Sequence, residues 1–127
     1  MPVNLADPHY ESFIINVLPV LQKQEVSVLA MKTLAFGRLL GAGPERLKKA
    51  KGETKSMEEV GVGVKEMHEF VYSLPISSLM SGFDKVEEVS MNAKICRQFK
   101  PMGEVEQKRL IALAEKYSGN VTEHYKR

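Results

Sequence analysis

The sequence predicts an α/β fold built on a parallel sheet. Apolar helical stripes and short apolar runs alternate along the chain in the order helix, strand, helix, strand, helix, helix. The run Val26-Ser27-Val28-Leu29-Ala30-Met31 is apolar at every position but Ser27, the pattern of a strand covered on both faces. Met1-Pro2-Val3-Asn4-Leu5 is a further short apolar run, read as a partial strand, so that the chain is expected to start in the middle of a domain. Two full strands and one partial strand are too few to close a barrel or to fill a doubly wound sheet.

The elements follow in order. Asp7 is placed to cap the first helix, with Pro8 in its first turn, where a missing N–H costs nothing. Phe13, Val17 and Leu21, with Ile14 and Leu18, make one apolar face, and Pro19 is expected to kink this helix or split off its last turn near Gln24. The strand over 26–31 comes next, with Lys32, Thr33 and Leu34 at its C-terminal end, where parallel α/β folds bind ligands. Residues 36–56 read as a long loop broken by Gly37, Gly41, Gly43 and Gly52 and made basic by Arg46, Lys48, Lys49, Lys51 and Lys55, with a brief helix over 44–51. Such a loop is either solvated and mobile or a flap over a phosphate-bearing ligand.

A weaker helix is predicted over 58–74. Val60, Val64, Met67, Phe70, Val71 and Leu74 form its face, with Gly61 and Gly63 inside it at a cost of about 1 kcal/mol each. Pro75 ends it, residues 76–80 form the next strand, and Ser81-Gly82-Phe83-Asp84 is the turn beyond. Asp84 with Glu87 is a plausible capping pair. The helix that follows has Val86, Val89, Ala93 and Cys96 on its buried stripe, with Ile95 and Phe99 beside it. The last helix starts near Gly103, carries Glu104 and Glu106 in its first turn, presents Leu110, Leu113, Ala114 and Tyr117, and stops at Gly119. The domain therefore runs over 1–119, and 120–127 is a polar tail.

Composition narrows the function. A chain of 127 residues, 43% hydrophobic and 27% charged, is at most one globular domain. The net charge of +2 is too small to imply nucleic acid. No apolar run is long enough for a membrane span, and no leader peptide is visible. With a single cysteine, Cys96, these features point to the cytoplasm. His9, His68 and His124 lie on different elements, and none pairs with another ligand at metal spacing, so no metal site is expected. Cys96 reads as a buried, inert thiol, and His68 as a surface or boundary residue. The residues alone assemble no catalytic set. One local feature is suggestive: Gly82 falls after a strand and before a helix. It either offers backbone N–H groups and a helix dipole to an anion or simply permits a tight turn.

The chain resembles the C-terminal half of aldo/keto reductases, in the bacterial branch of predicted oxidoreductases. The resemblance is carried in order by Met1-Pro2-Val3-Asn4, Asp7-Pro8-His9-Tyr10-Glu11-Ser12-Phe13, Val17-Leu18-Pro19, Val28-Leu29-Ala30-Met31-Lys32, Tyr72-Ser73-Leu74-Pro75 and Ser81-Gly82-Phe83-Asp84. It implies a partial (β/α)8 barrel, a TIM barrel reduced to its last two to three β/α units plus a C-terminal helix. It further implies a fragment of an NAD(P)H-dependent oxidoreductase that interconverts carbonyls and alcohols, retaining part of the cofactor cleft and no catalytic residue. By the same resemblance Met31 falls beside the nicotinamide, Lys32 and Leu34 near the pyrophosphate, and Gly82, Phe83 and Asp84 at the adenosine phosphate end. Asn92 falls at the adenine. Glu88 falls where NADPH-preferring relatives carry arginine or glutamine, which tilts the cofactor toward NADH over NADPH. The implied partners are the cofactor and a small carbonyl substrate. A complementing N-terminal half would complete the enzyme; alternatively the chain is a non-catalytic half barrel that self-associates through open strand edges.

Overall fold

The computed structural model describes residues 1–126, apart from the side chain of Leu47. The chain builds a small mixed domain, mainly helical, around a minimal parallel sheet. Helices α1 (Phe13–Asn16) and α2 (Leu18–Lys23) precede strand β1 (Leu29–Ala30). Helices α3 (Glu45–Lys51) and α4 (Val64–Tyr72) lead to strand β2 (Ser78–Leu79). Helices α5 (Val86–Gln98) and α6 (Glu104–Ala114) follow, and 3-10 turns over Asp7–His9, Ala35–Gly37, Met57–Val60 and Glu115–Tyr117 join the pieces. β1 and β2 pair in parallel with Leu29 opposite Ser78 and Ala30 opposite Leu79, and Pro2 adds an isolated parallel bridge to Met31.

A partial barrel is therefore not what forms. Among the described residues, regular strand is confined to two residues in each of β1 and β2. Strands this short cannot carry the tilt and stagger that curve a sheet toward closure. At the start of the first predicted strand the backbone donors bond outside the ladder. The Val26 N–H donates back to the Leu21 carbonyl at 2.9 Å, and the Val28 N–H to the Ser77 hydroxyl at 3.2 Å. Nor is the run covered on both faces, because Val26 and Leu29 are about half exposed.

The helix predictions hold in outline and shift at their ends. Ser12 is the N-cap of α1 and its hydroxyl accepts the Ile15 N–H, while the Asp7 carboxylate accepts the Phe13 and Ile14 N–H groups at 3.1 and 2.9 Å. Pro19 does split the first helix, which breaks at Val17 and restarts as α2. Gly61 and Gly63 lie outside α4. Gly61, at φ +74°, ends the preceding 3-10 turn, and Gly63 is the N-cap of α4. Neither therefore weakens a helix interior. In α5 only Ile95 is buried, and Val86, Val89 and Cys96 face solvent. α6 buries Leu110 and Ala114, and Tyr117 continues its face. The loop over 36–56 contains α3 at the predicted place and an antiparallel bridge between Leu40 and Ser56. It is not a solvated excursion, because Arg38 and Leu39 within it are fully buried. His68 is also buried, with Nδ1 2.9 Å from the Val64 carbonyl oxygen, and burial lowers its pKa.

The core gathers Val3, Leu5, Leu39, Met57, Met67, Phe70 and Leu110 from across the chain. Beside it lies a buried polar cluster that the reading of 120–127 as a tail did not anticipate. Arg127 lies outside the described residues, but Thr122, Glu123 and Lys126 are buried. Lys126 Nζ donates to Asp7 Oδ1 at 2.6 Å and to the Tyr10 carbonyl at 2.7 Å, and it pairs with Glu123 Oε1 at 2.7 Å. Asp7 also accepts the Ser12 hydroxyl at 2.6 Å and the Ile14 N–H at 2.9 Å. Asn4 Nδ2 donates to the Tyr125 hydroxyl at 2.8 Å and to Glu123 Oε1 at 3.3 Å. Burial raises the pKa of Tyr125, helped by the carboxylates of Glu123 and Asp7. The phenol therefore stays protonated.

Replacing Lys126 with Met leaves Asp7 and Glu123 buried without their cation. The expected loss is about 3–5 kcal/mol, read from urea unfolding. Glu123 generates a pH dependence. Burial raises its pKa against the pull of Lys126 and Asn4. Because the folded value exceeds the unfolded one, its contribution is present at low pH and is lost as pH rises from the ordinary value of 4.5 through the folded value. The stability difference between wild type and Glu123→Gln should decline over that interval in denaturant titrations at several pH values.

Candidate functional site

An open cleft of ≈ 730 Å³ lies at the C-terminal ends of β1 and β2. Its volume is in the range of small-molecule sites. The segment after β1 supplies Met31, Lys32, Thr33 and Leu34, and the next loop supplies Phe36, Gly37, Leu40 and Gly43. The segment after β2 supplies Met80, Ser81, Gly82, Phe83 and Asp84, and α5 closes the far wall with Glu88, Met91 and Asn92. Met31, Lys32, Leu34, Gly82, Phe83, Asp84, Glu88 and Asn92, singled out in the sequence, thus share this one lining.

The wall after β1 is built from unusual backbone. Lys32, Ala35 and Phe36 have φ of 60°, 49° and 61°, in the left-handed region that side chains with a Cβ rarely occupy. Each such residue costs of order 1–3 kcal/mol, held by its surroundings. The geometry carries Lys32 Nζ to 3.2 Å from the Phe36 ring centroid, a cation–π contact. Partial burial lowers the Lys32 pKa. Phe36 is further packed against His124 at 5.5 Å and Tyr125 at 6.1 Å between ring centroids.

The opposite wall is organised by Glu88. Its carboxylate accepts the Asp84 N–H at 2.9 Å and the Lys85 N–H at 3.4 Å, so Glu88, rather than an Asp84–Glu87 pair, caps α5. A negative charge therefore already sits on the positive end of this helix. Asn92 Nδ2 donates to the Glu88 carbonyl at 2.7 Å, and its buried Oδ1 has no partner among the described residues. Gly82 lies four residues ahead of the first residue of α5, in open space and without a positive φ, so neither a tight turn nor a close contact requires glycine there.

Among the described residues, the cleft lining contains no tyrosine and no histidine, and no group of three or more His, Cys, Asp or Glu side chains could hold a metal. Cys96 is exposed on α5, not buried as its apolar neighbours suggested. Sequence reasoning missed Phe36, Arg38, His124 and Tyr125. Only Arg38 carried a signal, as a lone charge flanked by Phe36-Gly37 and Leu39-Leu40. No family model, curated protein or solved structure matches this chain. No helix among the described residues is long and apolar enough to cross a membrane.

Two alanine substitutions test the wall geometry. At Gly43 (φ +113°) a Cβ would lie 2.9 Å from the Phe36 carbonyl oxygen, so Gly43→Ala should cost about 1–3 kcal/mol. Gly82→Ala meets nothing within 4 Å and should leave stability within about 0.5 kcal/mol. Thermal unfolding of the two variants checks the contrast.

Proposed function

We propose that the cleft binds a nicotinamide dinucleotide, and that this chain serves as the cofactor-holding part of an aldo/keto reductase-type oxidoreductase acting on small carbonyls and alcohols. The observation that carries the reading is the convergence of residues from three separate segments, 31–34, 82–84 and 88–92, on one cleft. The resemblance had assigned those residues to successive parts of the cofactor. Met31 and Met80 offer apolar surface to a nicotinamide ring. Lys32 is a partly desolvated ammonium near the place given to the pyrophosphate. The free Oδ1 of Asn92 is an acceptor for an exocyclic amine.

The reaction moves a hydride to the carbonyl carbon and a proton to its oxygen, and the proton needs a positioned acid. Among the described residues, the lining supplies no tyrosine or histidine for that role. The chain's own contribution is to bind and orient the dinucleotide. Glu88 sets the cofactor choice in this reading. Its charge on the α5 N-terminus repels a 2′-phosphate, so NADH is favoured over NADPH.

Titration of the chain with NADH, followed by nicotinamide fluorescence, should give saturable binding, and a flat titration overturns the proposal. Glu88→Gln should improve NADPH relative to NADH by about fivefold, since a unit charge pair at ~4 Å in water is worth about 1 kcal/mol. An unchanged ratio would remove Glu88 from the specificity argument.

A further inference from the structure

We propose a second binding site for a compact oxyanion, a phosphate or carboxylate group, at the junction of the 36–43 loop, the end of α3 and the C-terminal segment, formed by Arg38, Lys51 and His124, with Lys32 shared between it and the cleft. Arg38 is the starting point. Its side chain is fully buried, its Nη2 donates to the Gly52 carbonyl at 2.6 Å, and its Nε and Nη1 have no partner among the described residues. A buried guanidinium with unfilled donors is costly unless an acceptor arrives, and its planar donor set suits carboxylate and phosphate oxygens.

The surroundings are cationic without compensation. Arg38 grips the carbonyl next to Lys51, and its aliphatic stem runs beneath Gly43, at 3.2 Å from where a Cβ would stand. Lys32 and His124 are both packed on Phe36. The charges of Arg38, Lys51 and Lys32 all bear on His124, adding to burial in lowering its pKa, while the Thr122 backbone opposes them. His124 Nδ1 is buried and unpartnered among the described residues. No carboxylate among the described residues pairs with Lys32, Arg38 or Lys51, although this chain pairs Lys65, Arg109 and Lys126 with acids elsewhere. The C-terminal dipole of α3 accounts for Lys48, Lys49 and Lys51 but not for a buried Arg38.

Arg38, Lys51 and His124 do not line the cleft, which shares only Lys32 with this site, so the test does not depend on the dinucleotide reading. Its probes contain no nicotinamide. Inorganic phosphate and, in a second arm, acetate are titrated into the protein while the His124 ring and the backbone amides are followed by NMR. The expected result is a saturable shift at His124 with one or both anions, together with a raised His124 pKa as the anion offsets the neighbouring cations. The arm that responds names the oxyanion. Lys51→Ala and Arg38→Gln should each weaken binding about tenfold, the loss of one charge-assisted contact. Lys51 is the safeguard should the Arg38 variant fail to fold. No shift at His124 with either anion overturns the proposal. So does a shift unaffected by Lys51→Ala, or one confined to the Asp84 and Lys85 amides.

Discussion

The burial of Lys126 is the constraint on which the remaining structure depends. An ammonium out of water is tolerable only when its donors are filled. Asp7, Glu123 and the Tyr10 carbonyl fill them. The same Asp7 carboxylate takes the Ser12 hydroxyl and the first free N–H groups of α1. Asn4 ties Glu123 and Tyr125 to the segment that bridges to Met31. One cation thus fixes the start of α1, the seating of residues 122–126 and, through Tyr125 and His124, the ring of Phe36 at the cleft wall.

The cleft derives from two short strands that end side by side. The chain leaves each strand in a different manner. After β1 the backbone is forced into left-handed conformations that carry Lys32 over Phe36. After β2 it runs without regular structure until Glu88 gathers the free N–H groups ahead of α5. One wall therefore presents positive charge and the other negative. A ligand lying across them would be aligned by that polarity as much as by shape.

The sequence was most legible where the signal was local. Pro19 splitting the first helix, the brief helix before Gly52, and Leu110, Ala114 and Tyr117 on one face all follow from spacing and propensity. The residues that the resemblance singled out do share one lining. The barrel did not follow. An apolar run such as 26–31 specifies burial, whereas strand length depends on where Val26 and Val28 find acceptors, and those lie far away in sequence or outside the ladder. Cys96 and Val89 had helical spacing, but nothing local states which side of α5 meets the core. Glu123 and Lys126 looked like a solvated tail because charge reads as exposure unless the partner is known. Here the partner, Asp7, is 119 residues away from Lys126.

That separation has a consequence for how the molecule comes into being. During synthesis the segment bearing Asp7 leaves the ribosome long before Lys126 is made. At translation rates of about 5–20 residues per second, the wait lasts several seconds at the least. Throughout it Asp7 has no cation to neutralise it and is better kept in water than enclosed. The native arrangement of α1 and the Phe36 wall is thus withheld until Lys126 has been made. Until then the nascent chain holds its apolar stripes without the polar seal that later closes over them, a period in which a chaperone would find them accessible.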